Sequence, residues 1–154
     1  MIDTKNVTLP LTVDPLGRDI QQQLLAKQFP PGAAWRDDHF GRALSAFDRT
    51  AIAGTPGDPD KGLDAGAAHV FLRVPTVEAS VGTRWEPQQK LRASDGATGD
   101  SFGAAVAVAG DVALVGAPND DDHGPDTGAV YVFVRSGAVW TQRIRRRRLR
   151  RNAP

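Results

Sequence analysis

The fold is decided by residues 102–135, which run FGAAVAVAGDVALVGAPNDDDHGPDTGAVYVFVR. A shift of 62 residues places this stretch, without a gap, on residues 40–73, FGRALSAFDRTAIAGTPGDPDKGLDAGAAHVFLR, and 15 of the 34 aligned positions are identical. A fixed period of this length is typical of a repeat architecture, in which each copy is one supersecondary unit. The sequence therefore predicts two copies of the same structural unit.

Each copy carries the signals of short antiparallel strands. In the second copy, small and branched apolar residues alternate up to Gly110-Asp111, a pair that suits a tight hairpin because glycine accepts a positive φ. The next apolar run is unbroken, which favours a strand covered on both faces, and Pro118 ends it because proline cannot donate to a ladder. Four antiparallel strands per copy predict one blade of a β-propeller. The predicted strands are 104–109, 112–115, 129–134 and 139–142, and the fourth strand of the first copy is 85–93.

The same residues resemble a known family, the FG-GAP repeat. The resemblance is specific over residues 85–142 and looser over 38–84. It implies the β-propeller of integrin alpha subunits and of many bacterial surface or secreted proteins. It also implies a non-enzymatic binding or scaffold module with a protein or glycan ligand, located outside the cell or on its surface. The residues that carry it are Phe102-Gly103, Gly116-Ala117-Pro118 and Gly128 to Phe133, together with Trp85 and Gln88-Gln89-Lys90-Leu91, whereas the earlier copy has Gly54-Thr55-Pro56.

The expected fold is all-β, with two four-stranded antiparallel β-propeller blades that form an incomplete propeller. We expect an N-terminal segment, 1–37, with a partial strand layer, then repeats at 38–93 and 94–142 and a basic tail at 143–154. Propellers typically have about 4–8 blades, and closing the ring protects their edges. We therefore expect the chain to be a fragment of a larger propeller. On its own, we expect it to self-associate through its open blade faces, to aggregate, or to be only marginally stable.

The net charge of +1 hides an asymmetry between the body and the tail. Residues 143–151, RIRRRRLRR, hold seven of the 19 basic residues and leave 12 basic against 18 acidic residues elsewhere. Three interpretations are open: a tail that binds nucleic acid or an anionic surface, a solvated tail, or the product of a change of reading frame. We favour the last because the arginines abruptly replace the expected Gln/Lys/Leu strand. Nucleic acid is therefore not the expected partner.

Three further features of the sequence limit the class of protein. The chain has no cysteine, so disulfides do not contribute to stability. It contains no apolar span of about 18 residues, so no membrane crossing is expected. Its start, MIDTKNVTLPLT, lacks the basic and apolar regions of a signal peptide.

Both copies carry an acidic loop with the pattern D-x-D-x-G-x-D-x-G. Alternate carboxylates in a glycine-rich loop can converge on a hard cation such as calcium. The resemblance also implies calcium, but in a loop between Phe-Gly and Gly-Ala-Pro, where this chain has only tight turns. The alternative is a solvated turn whose Asp and Gly satisfy local backbone groups, and we favour it; no other cofactor is expected. The candidate calcium ligands are Asp58, Asp60 and Asp64 in the first copy and Asp120, Asp122 and Asp126 in the second.

Residues 99–103 match the nucleophile-elbow pattern G-x-S-x-G of hydrolases. That chemistry needs a strand-turn-helix and a histidine held by an acid. Here an Ala/Val strand follows, and His39 replaces Ser101 in the other copy. We therefore interpret Ser101 as part of an inter-blade turn, keep a hydrolase as the less favoured alternative, and expect no catalytic residue.

Overall fold

The computed structural model describes residues 38–75, 83–122, 124 and 127–147. These residues form eight β-strands, and among them no helix is long and apolar enough to cross a membrane. The strands are β1 (Leu44–Phe47), β2 (Thr50–Thr55), β3 (Ala67–Pro75), β4 (Thr83–Leu91), β5 (Ala105–Ala109), β6 (Val112–Ala117), β7 (Ala129–Ser136) and β8 (Val139–Arg147). The strand layer predicted within 1–37 and the part of the predicted tail at 148–154 lie outside the described residues.

The strands form two separate four-stranded antiparallel sheets, which we call blade 1 (β1-β2-β3-β4) and blade 2 (β5-β6-β7-β8). Their registers correspond, since β2 pairs Ile52 with Val70 and β6 pairs Leu114 with Val132. Both blades also have a bulge at the same place on the third strand, directly after Val70 and after Val132. The prediction of an all-β fold with two unclosed, propeller-type blades is confirmed.

The last strand is longer than the sequence predicts. It continues past Gln142 to Arg147, so the arginine run begins inside the sheet and not in a tail. Its backbone pairs Arg145 with Tyr131 in the way that β4 pairs Lys90 with His69. Ladder hydrogen bonds come from the backbone, and charged side chains are common on outermost strands, so the arginines are compatible with this position.

The main core lies between the two blades. Phe102 is fully buried there, with its ring edge-on to Tyr131 at 5.3 Å and to Phe133 at 6.1 Å between centroids. Many of the surrounding side chains are alanines, which let the two sheets approach closely. Both blades contribute to this core, so they form one folded unit; its members are Ile52, Ala68, Val70, Leu91, Ala93, Phe102, Val108, Ala113, Val115, Ala117, Ala129, Tyr131, Phe133 and Trp140.

Candidate functional site

The Phe-Gly pair of blade 2 docks on the acidic loop of blade 1 through the backbone. The amide of Ser101 donates to the carbonyl of Asp64 at 2.9 Å, and the amide of Phe102 donates to the carbonyl of Ala65 at 3.0 Å. Gly103 follows with a φ of +93°, and a Cβ there would overlap the carbonyl oxygen of Ala67. The motif therefore combines a buried ring with a glycine that lets two backbones meet.

A second set of contacts joins the outer strands of the blades. The Gln89 side chain donates to the carbonyl of Trp140 and accepts from its amide, both at 2.8 Å. The indole of Trp140 donates to Gln88 at 2.9 Å. Further out, Gln142 donates to the hydroxyl of Ser94 and accepts from its amide, both at 2.9 Å. The motif residues Gln88-Gln89 thus hold the tryptophan of the next blade.

Two hydroxyl groups of blade 1 accept further hydrogen bonds from blade 2. Ser45 accepts a hydrogen bond from the amide of Val108 at 3.0 Å, and Thr50 accepts one from the guanidinium of Arg135 at 3.0 Å. No motif in the sequence indicates these inter-blade pairs. Their partners are 63 and 85 residues apart, and no local pattern links them.

Blade 2 leaves its other side uncovered. Val112, Leu114 and Val130, which we call the open face, are 41–42 % exposed. The prediction that the run 112–115 is covered on both faces is therefore wrong for this chain, because β6 alternates between exposed and buried positions up to Val115. The corresponding residues of blade 1, which lie 62 positions earlier in the chain, are Thr50, Ile52 and Ala68. Blade 2 covers them, and each is 3 % exposed or less.

The acidic loop of blade 1 is neutralised by lysine. The ammonium of Lys90 lies 2.5 Å from Asp58 and 2.7 Å from Asp60, and Arg92 lies 3.3 Å from Asp60. The hydrogen bond from Lys90 is the main cause that lowers the pKa of the Asp60 carboxyl. Asp64 contributes to the loop through its backbone, at a φ of +54°. Two of the three predicted ligands therefore share a protein cation.

The acidic loop of blade 2 is closed by a tyrosine. Asp120 is buried, and the Tyr131 hydroxyl donates to it at 2.7 Å while lying 3.0 Å from a carboxylate oxygen of Asp95. Burial, followed by these two carboxylates, raises the pKa of Tyr131. Burial also raises the pKa of Asp100, with Asp120 and other acids adding to the effect. Asp120 thus acts as a hydrogen-bond acceptor that fixes β7 to the loop.

The structure brings the six candidate calcium ligands together only in part. Asp58 and Asp60 meet at Lys90, Asp120 is buried, Asp122 is exposed, and Asp126 lies outside the described residues. Within the described parts of the chain, no group of three or more histidine or acidic side chains is arranged to hold a metal ion. The interpretation of the two loops as solvated turns, favoured over calcium sites, stays a prediction that calcium titration tests directly.

Adding millimolar calcium is expected to leave the Tm unchanged, because the Lys90 ammonium already lies between Asp58 and Asp60. A ligand that binds only the folded state would raise the Tm by mass action. Calorimetry with calcium, and with magnesium as the control, measures this. A rise of several degrees that is specific to calcium and lost in Asp122→Ala would contradict the expectation.

Ser101 lies in the turn that leads from blade 1 into blade 2. Its φ is +56°, its hydroxyl donates to the carbonyl of Gly99 at 3.3 Å, and the same hydroxyl accepts from the side-chain amide of Asn119 at 3.1 Å. These two neighbours are a carbonyl and a carboxamide, neither of which is a base. The strand β5 follows, where a nucleophile elbow requires a helix.

Comparison with known protein families identifies the two repeats. The family model described as the FG-GAP repeat matches residues 30–71 and 85–133, more than half of the chain. Comparison with the curated proteins found no match. The two matched ranges contain both Phe-Gly pairs and both acidic loops. Of these elements, the acidic loop of blade 1 and Phe102-Gly103 meet where blade 2 docks on blade 1. The chain therefore belongs to the FG-GAP repeat family.

Proposed function

We propose that this chain is a non-enzymatic binding or scaffold module that works by joining β-sheets face to face, within a larger secreted or surface assembly. The observation that carries the proposal is the open face. Its residues correspond to the surface by which blade 1 holds blade 2, yet Val112, Leu114 and Val130 remain about two-fifths exposed. Contiguous exposed apolar residues on a folded protein mark interaction surfaces.

The polar groups of the site support a structural role over a catalytic one. Lys90 is engaged by two aspartates, and the Tyr131 hydroxyl donates to the buried Asp120. Ser101 is held by a carbonyl and an amide in a turn. A nucleophile would instead need a base within hydrogen-bond reach, itself oriented by a third group. The polar side chains of each acidic loop thus fix that loop to a strand of its own blade.

A tandem fusion tests the proposal. A second copy of residues 93–147 is placed directly after Arg147, at the point that corresponds by strand register to Arg92. The added blade should cover the open face, and burying apolar surface should raise the Tm by several degrees with a single cooperative transition. Calorimetry at low protein concentration measures both quantities.

The matched control is the same fusion with Leu114→Lys and Val130→Lys in the first copy only. Both positions are exposed in the single chain, so these changes should leave that chain folded but prevent the added blade from docking. If the fusion unfolds in two steps and the original chain within it unfolds at the Tm of the single chain, the added blade has not stabilised it. That result would contradict the scaffold function.

A further inference from the structure

Each blade carries an arginine on its third strand, beside the first hairpin of the sheet. In blade 2 this residue is Arg135, whose guanidinium Nε and Nη2 lie 2.8 and 2.7 Å from one carboxylate oxygen of Asp111. Its Nη1 donates to the Thr50 hydroxyl of blade 1 at 3.0 Å, and the guanidinium lies 5.2 Å from the ring centroid of Trp140. Arg135 is thus neutralised by its own blade and also contacts the preceding blade.

Blade 1 has the same backbone contact at this position but a different charge. The amide of Arg73 donates to the carbonyl of Arg49 at 2.8 Å, and the amide of Arg135 donates to the carbonyl of Asp111 at the same distance. The Nε of Arg49 in turn donates to the carbonyl of Arg73 at 3.0 Å. Two cationic side chains therefore begin at the place where blade 2 has an ion pair.

No carboxylate of blade 1 compensates these two charges. Among the residues that the structure describes, neither Arg49 nor Arg73 takes part in an ion pair. Asp48 precedes Arg49 in the chain but is exposed and pairs with neither arginine, and Glu86 is bound to Arg84. Like charges on neighbouring backbone positions repel each other, and an anion shared between them removes this repulsion.

Arg73 lies on the side of blade 1 that faces away from blade 2. Side chains alternate between the two faces along β3, so Arg73 shares a face with Phe71, which packs outside the core between the blades. Arg135 has the same position in blade 2, and from there it reaches the blade that packs on that side. Arg73 is half-buried and is therefore placed to contact a polypeptide that packs on this side of blade 1.

We propose that Arg49 and Arg73 form a binding site for a carboxylate of a partner polypeptide, an aspartate or glutamate side chain that packs on the side of blade 1 away from blade 2. This carboxylate takes the place that Asp111 has in blade 2. The planar guanidinium fork matches a carboxylate, and two forks can bind both of its oxygens. The partner at this site is selected by charge, whereas the open face of blade 2 selects by apolar contact.

Arg49→Asp copies the ion pair of blade 2 into blade 1 and tests the geometry within the chain. The new carboxylate should bind Arg73 as Asp111 binds Arg135, and the Tm should rise by about 1–4 °C at low ionic strength. The gain should disappear in about 1 M sodium chloride, which screens charges beyond about 3 Å. Arg42→Asp is the matched control, because it makes the same change of charge at an exposed position and should not raise the Tm.

Carboxylate binding is measured by NMR with N-acetyl-aspartate methylamide, and its asparagine counterpart is the matched ligand. At constant ionic strength, the Nε–Hε signals of Arg49 and Arg73 should shift to saturation with the aspartate compound and stay in place with the asparagine compound. Arg73→Lys keeps the charge but loses the planar fork, so it should weaken binding severalfold. Arg49→Asp should abolish binding, because its own carboxylate then occupies Arg73.

Any of three results would overturn the site. Arg49→Asp could be no more stable than Arg42→Asp, or the shifts could be unsaturable and equally large at Arg42, as expected for solvated arginines. Inorganic phosphate could also bind more tightly than the aspartate compound, which would reassign the site to a phosphorylated group. The tandem fusion remains a separate test, since the added blade covers the open face of blade 2 and leaves Arg49 and Arg73 unchanged.

Discussion

Replacing Gly103 with alanine is expected to destabilise the chain by more than about 4 kcal/mol, a loss of a size that few single substitutions produce. The added Cβ would collide with the carbonyl oxygen of Ala67 and lie 3.0 Å from the amide nitrogen of Thr55. Both obstacles are backbone atoms of blade 1, which cannot rotate away. The φ of +93° adds strain of its own. Urea unfolding followed by circular dichroism measures the loss.

The matched control is Gly41→Ala, the same motif position in blade 1. Gly41 has a similar φ of +85°, but a Cβ there would meet no atom within 4 Å. Only the conformational strain applies, so the expected loss is about 1–2 kcal/mol. Equal losses at Gly41 and Gly103 would show that the glycine is needed for its conformation alone, and that the close approach of the two blades is not what it provides.

Removing the ring of Phe102 is expected to cost about 3–5 kcal/mol, because Phe102→Ala leaves a cavity in the core between the blades. The ring is fully buried and contacts Tyr131 and Phe133 edge-on. Domains of this size are stable by only about 5–15 kcal/mol, so a large fraction of the molecules should unfold at moderate temperature. Thermal unfolding followed by circular dichroism measures the change.

Phe40→Ala provides the comparison within the same molecule. Phe40 occupies the equivalent position in blade 1, is only partly buried, and contacts His69 and Phe71 at 5.4 and 6.2 Å between centroids. Its removal should cost less than the removal of Phe102, since less surface returns to water. A larger loss at Phe40 would place the main core on the other side of blade 1.

The repeat period and the hairpin signals were sufficient to predict the two blades. Gly110-Asp111 forms the predicted turn between β5 and β6, because a two-residue loop with a positive φ at glycine fits the twist of a hairpin. The end of β8 could not be predicted in this way. Arginine-rich sequence has no apolar alternation, whereas the register of β8 follows from pairing with β7, which is separated from it only by residues 137 and 138.

The candidate site was less accessible to sequence reasoning than the fold. The acidic loops were visible as a motif, but their partners Lys90 and Tyr131 lie on strands that reach the loops only after the sheet has formed. A pattern of carboxylates indicates negative charge without showing what neutralises it. The open face was likewise hidden within residues 112–115, since an apolar run does not show which of its sides another sheet will cover.

The hairpins that close the two blades differ in length without any change in the sheets. β3 and β4 are connected by residues 76–82, whereas β7 and β8 are connected by residues 137 and 138, yet Arg73 pairs with Trp85 as Arg135 pairs with Trp140. Each tryptophan therefore keeps the same position in the strand pairing, although the connection between β3 and β4 is longer. Because connections between strands tolerate insertions far better than the strands themselves do, sequence can be added between β3 and β4 during evolution while the strand pairing that places the tryptophan is preserved.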